Sequence, residues 1–248
     1  MRRYWIPQEF IQPDQVVISG DEYHHIFKVC RMTEGAKFEL LVPGKAYFVE
    51  VLKVTKREGV AKIIEEREIE PLPNPPIHLY LAFSKWATMD NVVEKAVELG
   101  VSKITPFFSD YSFVSHPKKV SENKFERWNK IVVSATQQCG RGELMPINKA
   151  VSFENMVNQI NQETSCLSLF FYEGHSQKSV KSYLQEVNSQ NFREVALIVG
   201  SEGGFSDQEC RYLEKHNIPS LSFGSQVLRV ETACVALISI IKYEMILK

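Results

Sequence analysis

The sequence predicts an α/β protein in two parts: a small β-barrel-like N-terminal domain (residues 1–70), then a larger domain (78–248) built on a parallel sheet with helices on both faces. Three observations predict this. Pro71, Pro73, Pro75 and Pro76 crowd one short stretch. Proline fixes φ and donates no backbone hydrogen bond, so the stretch excludes helix and sheet ladder and marks a stiff linker over 71–77. Before it, the apolar runs are β-branched and aromatic and partly alternate. After it, short apolar runs alternate with stretches of three- and four-residue periodicity, the pattern of strands and helices in a parallel sheet.

Taken in order, a short helix is expected from Asp21 to about Val29. Ala46–Val54 reads as a strand, and Gly59–Ile64 continues it after a Lys-Arg-Glu-Gly turn. Beyond the linker, Ile77–Phe83 is a strand, Met89–Leu99 a helix stopped by Gly100, and Val101–Phe108 a second strand. Phe125, Trp128, Ile131, Val132 and Ala135 share one helix face. Cys166–Tyr172 is a strand, a helix follows near 179–188, and Val195–Val199 is the next strand. Ser206-Asp207-Gln208-Glu209 forms a capping box that opens another helix. Leu221–Phe223 is a short strand, and 230–247 is the last helix.

Composition narrows the function classes. A chain of 248 residues with 44% hydrophobic and 24% charged residues has the make-up of an ordinary globular protein with ample core. No apolar run is long and charge-free enough to span a bilayer, so no membrane association is expected. Met1-Arg2-Arg3-Tyr4-Trp5 is followed by Pro7 and Glu9 instead of an apolar stretch, so no signal peptide is expected. Cys30, Cys139, Cys166, Cys210 and Cys234 show no CxxC spacing, which argues against a zinc site or disulfide framework and for a reducing, cytoplasmic location. The net charge of −1 hides an asymmetry: residues 116–149 carry seven Lys/Arg against three Asp/Glu, and 150–220 carry five against nine. A neutral chain can thus present a basic face, although charge alone fits a solvated helix face as well.

Two loops carry the functional reading. "LIVGSEGGFSDQE" is a strand, a glycine loop and a helix start. It lacks the GxGxxG of a dinucleotide site and the GxxxxGK of a phosphate loop. Glu202 would repel a diphosphate, and no basic residue in the loop offsets it. The loop therefore suits a phosphate-free, positively charged ligand that contains an adenosine, such as S-adenosylmethionine. The glycines alone fit a ligand-free tight turn equally well. "LSFGSQVLRVETA" repeats the arrangement about twenty residues on. In a parallel sheet both loops emerge at the carboxyl edge, where ligands bind.

"VGSEGGFSDQE" and "FGSQVLRVETACVALI" resemble the last two signature segments of the SPOUT methyltransferases, and are most similar to those of the RsmE-type family, which methylates N3 of a uridine in 16S ribosomal RNA. "HHIFKVCRMTEGA", "SKWATMDNVVEKAVELGVSKITPFFSD" and "RWNKIVVSATQQCGR" extend the resemblance over nearly the whole chain. It implies a PUA-like β-barrel, a SPOUT α/β domain with a C-terminal trefoil knot, S-adenosylmethionine as cofactor, and a homodimer acting on the small ribosomal subunit or a late assembly intermediate. The chain departs from the family pattern at Ser201, where proline is usual, at Gln226 (arginine), at Thr88 (lysine) and at Gln137 (glutamate). Serine at 201 is expected to loosen the loop.

Cofactor contacts are expected from Phe171, Tyr172, Val199, Gly200, Glu202, Gly203, Gly204, Leu221, Phe223, Gly224, Val227 and Leu228. Methyl transfer to uridine N3 requires loss of its proton, and the developing anion spreads onto O2 and O4. An arginine there would stabilise it. Arg229 is the candidate, with Glu231, Glu202 or water as the base. RNA contacts are expected from Arg2, Arg3, His25, Arg31, Lys85 and Arg141, and no metal site is expected. The last helix is apolar on nearly every face, which anticipates burial on two sides and a two-fold dimer. Alternatives are a SPOUT methyltransferase for a different RNA, or a non-catalytic RNA-binding assembly factor of the same fold.

Overall fold

The computed structural model describes residues 1–246 except 164, 173, 175–177, 188–190 and 223. The chain divides into two compact units.

The first unit is Met1–Pro71 together with Val133–Leu144. Its strands are β1 (Arg3–Trp5), β2 (Gln15–Ser19), β3 (Lys37–Val42), β4 (Lys45–Val54) and β5 (Glu58–Glu68), with the short helix α1 (Gly20–Tyr23) after β2. Among the described residues they form one sheet in the order β1-β3-β4-β5-β2, antiparallel except for β1 against β3. Bulges at Phe48/Val49 and Val51/Lys53 bend β4 and curl the sheet. β5 runs further than the sequence pattern marks, because Glu65 to Glu68 stay paired with Phe48 to Lys45. The expected helix at 21–29 is present but changes pitch. After α1 it widens into a π-type turn, His24–Val29, closed by Cys30 N–H donating to the His25 carbonyl. That turn lays Phe27 over Gly59, where a Cβ would stand 2.3 Å from the ring. Tyr4, Ile18, Ile26, Phe38 and Leu40 fill the core. Glu39 is buried because Arg3 and Arg67 each reach it at 2.7 Å. Burial pushes its carboxyl up, but Arg67 and Arg3 outweigh that and hold it below the usual range.

The second unit is Leu72–Val132 and Met145–Lys248. It contains β6 (Ile77–Ala82), α2 (Trp86–Glu98), β7 (Lys103–Phe108), the first turns of α3 (Glu122–Cys139), β8 (Val151–Ser152), α4 (Phe153–Gln162), β9 (Cys166–Phe171), β10 (Lys178–Ser179), α5 (Val180–Val187), β11 (Glu194–Val199), α6 (Asp207–Lys215), β12 (Ser220–Ser222) and α7 (Val230–Ile241). The described strands make one parallel sheet, β10-β12-β9-β11-β6-β7-β8. β6 is buried along its whole length, as a central strand covered on both faces must be. One face packs on Phe153, Met156, Phe205 and Leu213, while α2 and α7 pack against each other elsewhere in the unit.

Local sequence explains some helix ends. Ser206 and Glu209 make the expected capping box on α6, and Gly100 at φ +81° follows the end of α2. The start of α2 does not follow local sequence. It begins at Trp86 and not at Met89, and Lys85 offers no side-chain cap. The cap comes from Glu202, over a hundred residues away, whose carboxylate accepts from Lys85 N–H (3.1 Å) and the Thr88 hydroxyl (3.0 Å). A carboxylate at a helix N-terminus also complements the helix dipole.

Candidate functional site

The carboxyl ends of β9, β11 and β12 and the first turns of α7 line a cleft that is partly open to solvent. Phe171 and Tyr172 come from the end of β9, and Val199 to Ser201, Gly204 and Phe205 from the loop after β11. Leu221, Gly224, Gln226 and Leu228 come from β12 and its loop, and Val230, Ala233 and Leu237 from one face of α7. None of these side chains is charged.

The β11 loop is a tight turn held from three sides. Gly204 N–H donates to the Ser201 carbonyl at 2.9 Å, and Gly204 sits at φ +69°, where a side chain is disfavoured. A Cβ on Gly200 would stand 2.8 Å from the Phe205 ring, and one on Gly203 2.7 Å from Cβ of Tyr111. Ser201, expected to loosen the loop, also supplies a tie of its own. Its hydroxyl donates to the Tyr111 carbonyl at 2.7 Å and ties the loop to the segment after β7. At the loop's far end Glu209 accepts from Ser206 N–H (2.9 Å) and Asp110 N–H (3.0 Å), and burial pushes its carboxyl up.

The structure brings Phe171, Tyr172, Val199, Gly200, Gly204, Leu221, Gly224 and Leu228 together on the cleft wall. Glu202 and Gly203 lie outside it. The Glu202 carboxylate is held by α2, and Gly203 backs onto Tyr111. Val227 is 71% exposed and lines no part of it. Phe223 lies outside the described residues. Ser201 and Gln226 fall within the loop stretches expected to hold the cofactor, whereas sequence reasoning missed Phe205, Val230, Ala233 and Leu237. The last three stand at three- and four-residue steps, a helix-face signal that was available.

Arg229 is the N-cap residue of α7, exposed, between two cleft residues, and among the described residues its guanidinium makes no ion pair. Glu231 is half-buried in the first turn of α7. Burial pushes the Cys210 thiol up to about 11 and the Cys234 thiol to about 12, so neither is a ready thiolate at neutral pH.

The proposed RNA contacts divide. Arg2, His25, Arg31 and Lys85 are exposed. Arg3 is committed to Glu39 and to the Gln138 carbonyl (2.9 Å). Arg141 is buried, with Nη2 3.6 Å from Glu143, so it presents no guanidinium face to solvent.

Comparison with known proteins agrees with this geometry. An RNA methyltransferase domain model matches residues 70–242 and an RNA methyltransferase PUA domain model matches residues 18–64. The ribosomal RNA small subunit methyltransferase E of Aquifex aeolicus is 32% identical, covering 91% of this chain and 93% of the relative. That of Bacillus subtilis is 29% identical over 98% of this chain and 97% of its own. A methyltransferase of Legionella pneumophila, solved in complex with the bound cofactor SAM, superposes with a TM-score of 0.84 at 30% identity, with 98% of each chain covered.

Proposed function

We infer that this chain, which belongs to the RNA methyltransferase family and within it to the ribosomal RNA small subunit methyltransferase E proteins, is an S-adenosylmethionine-dependent 16S rRNA methyltransferase whose target atom is N3 of a uridine. The observation that carries the cofactor is the cleft itself: lined by uncharged side chains and backed by glycines.

Bound there, S-adenosylmethionine supplies a methyl group on a sulfonium. Leu221, Leu228 and Leu237 would enclose the adenine, and the loop backbone from Val199 to Gly204 would offer N–H and C=O groups to its edges. Gln226 puts a neutral amide on the wall where the family usually has arginine. Arg229, beside the cleft, would hold the uracil oxygens as N3 loses its proton, stabilising the anionic N3 that would accept the methyl group, with the C–S bonding pair left on sulfur as a neutral thioether. Glu231 or water would take that proton. Glu202 is not a candidate base, because its carboxylate is engaged at α2. Little covalent work is asked of the protein, so positioning supplies much of the rate.

The exposed Arg2, His25, Arg31 and Lys85 would contact RNA phosphates. The same reading includes residues 1–70 as the RNA-binding domain, 78–248 as the catalytic domain, a C-terminal trefoil knot and a homodimer. The position of β12 beyond β9, with β11 on β9's other side, is consistent with the knot. The deciding experiment incubates small subunits lacking the modification with labelled S-adenosylmethionine and analyses the nucleosides. N3-methyluridine is expected, and label in any other nucleoside would overturn the N3 assignment.

A further inference from the structure

Beside the cleft, the segment after β7 displays two aromatic side chains to solvent. Tyr111 and Phe113 are each 54% exposed, although neither lines the cleft. The turn that carries them is closed by hydrogen bonds. Ser112 N–H donates to the Ser109 carbonyl (3.1 Å), the two serine hydroxyls meet at 3.0 Å, and Phe113 N–H donates to the Phe83 carbonyl (2.7 Å). Tyr111 is joined to the cleft through its backbone, by the bond from Ser201, and through the close approach of Gly203 to its Cβ. Its ring is left with no aromatic partner among the described residues.

Phe113 meets Trp86 edge to face at 6.2 Å, and Lys124 Nζ sits 4.3 Å over the Trp86 ring. Lys85, Lys118 and Lys119 are exposed in the same unit. Arg127 is neutralised by Asp90 at 2.8 Å, and Asp110 is turned to the Ser206 hydroxyl. Lys124 is thus the cation that the aromatic cluster holds directly.

Burying these rings inside would have stabilised the fold. Holding them outward on a hydrogen-bonded turn, with a lysine over the neighbouring indole and next to a ligand cleft, is an arrangement suited to stacking bases. We propose that Tyr111 and Phe113, with Trp86 and Lys124 behind them, form a stacking ledge for an unpaired nucleotide of the RNA substrate adjacent to the one methylated. The proposal rests on the reading of the chain as an RNA methyltransferase. The ledge fixes the RNA register so that a single base reaches the cleft. Stacking accepts any base, so the ledge contributes affinity and position and leaves the choice of base to the cleft.

The test compares the parent protein with Tyr111→Ala/Phe113→Ala and with Tyr111→Phe/Phe113→Trp, which keeps the stacking faces. Binding to small subunits lacking the methyl group, binding of S-adenosylmethionine and solution mass are measured for each. The alanine pair is expected to lose about tenfold or more in subunit affinity, with cofactor affinity within about twofold and mass unchanged. The aromatic pair is expected to restore the affinity. Subunit affinity that survives the alanine pair overturns the proposal. So does a loss that accompanies a change in solution mass, which would make the ledge a contact with a second copy. A parent protein that binds subunits but transfers no methyl group would sink the enzymatic reading, while the affinity ratio would still decide the ledge.

Discussion

At the residue scale the loop Gly200–Gly204 is most instructive, because two of its side chains do something other than their chemistry first suggests. Glu202 reads as a partner for a positively charged ligand, yet it caps α2. Ser201 reads as a weakened proline position, yet its hydroxyl ties the loop to Tyr111. Both partners are about ninety residues or more away, so no local pattern announces them. Arg229 is the opposite case, a residue placed at the helix start by the sequence and left exposed by the fold between two residues that line the cleft. Arg229→Ala should lower the single-turnover methylation rate with saturating RNA by about 10²–10³, the usual cost of removing one donor aimed at a developing anion. Cofactor affinity should stay close to that of the parent, and near-normal single-turnover rates would remove Arg229 from the mechanism. The cleft residues supplied by β11 and β12 were legible from their glycines. Phe205 was not, because what brings its ring onto Gly200 is the turn geometry.

At the element scale, legibility follows how local the determinants are. α6 starts where Ser206 and Glu209 say it should, since the capping box lies within four residues. Replacing Ser206 with alanine should cost about 1 kcal/mol from the cap. The Asp110 carboxylate would also lose its donor at 2.5 Å. A fall in thermal midpoint of about 2–4 °C per kcal/mol is expected for a chain of this size, and an unchanged midpoint would show that the cap is idle. α2 starts one turn early because its cap is tertiary. α7 reads apolar all round and is buried at Val230, Cys234, Leu237, Ile238 and Ile241, while Val235 stays 36% exposed. The sequence signal was correct about the covered face, and the remaining apolar surface is what a partner would cover. If it does, sedimentation should give about twice the 28.5 kDa chain mass, and a concentration-independent monomer would count against the dimer.

At the scale of the whole molecule, the parallel sheet was legible because its central strands are mostly apolar, and a buried histidine among them predicts acid sensitivity. His78 on β6 is buried, with Nδ1 3.3 Å from Glu194 on β11 and Nε2 2.7 Å from the Thr105 hydroxyl on β7. Asn148 donates to the same hydroxyl at 2.8 Å, and Lys103 holds Glu194 at 2.7 Å. A neutral imidazole satisfies this network, with Nδ1–H donated to Glu194 and Nε2 accepting from Thr105. Burial pushes the imidazole's pKa down, and Lys103 adds to this against the opposing pull of Glu194. The unfolded chain therefore takes up the proton first, at about pH 6.5. The stability contributed by neutral His78 is complete above that value and declines as pH falls from it toward the folded-state pKa, by up to about 1.4 kcal/mol per pH unit. Glu39 and Glu194, both held below the ordinary carboxylate range, act in a separate window below about pH 4.5. Urea unfolding of the parent protein between pH 7.5 and about 5 should show stability falling as the solution is acidified below about 6.5. His78→Gln, which keeps a donor and an acceptor but cannot titrate, should flatten the curve there while leaving the steeper loss at lower pH. A parent curve flat from pH 7 to 5 would mean that the buried imidazole titrates alike in both states, and that its place in the sheet costs nothing in acid.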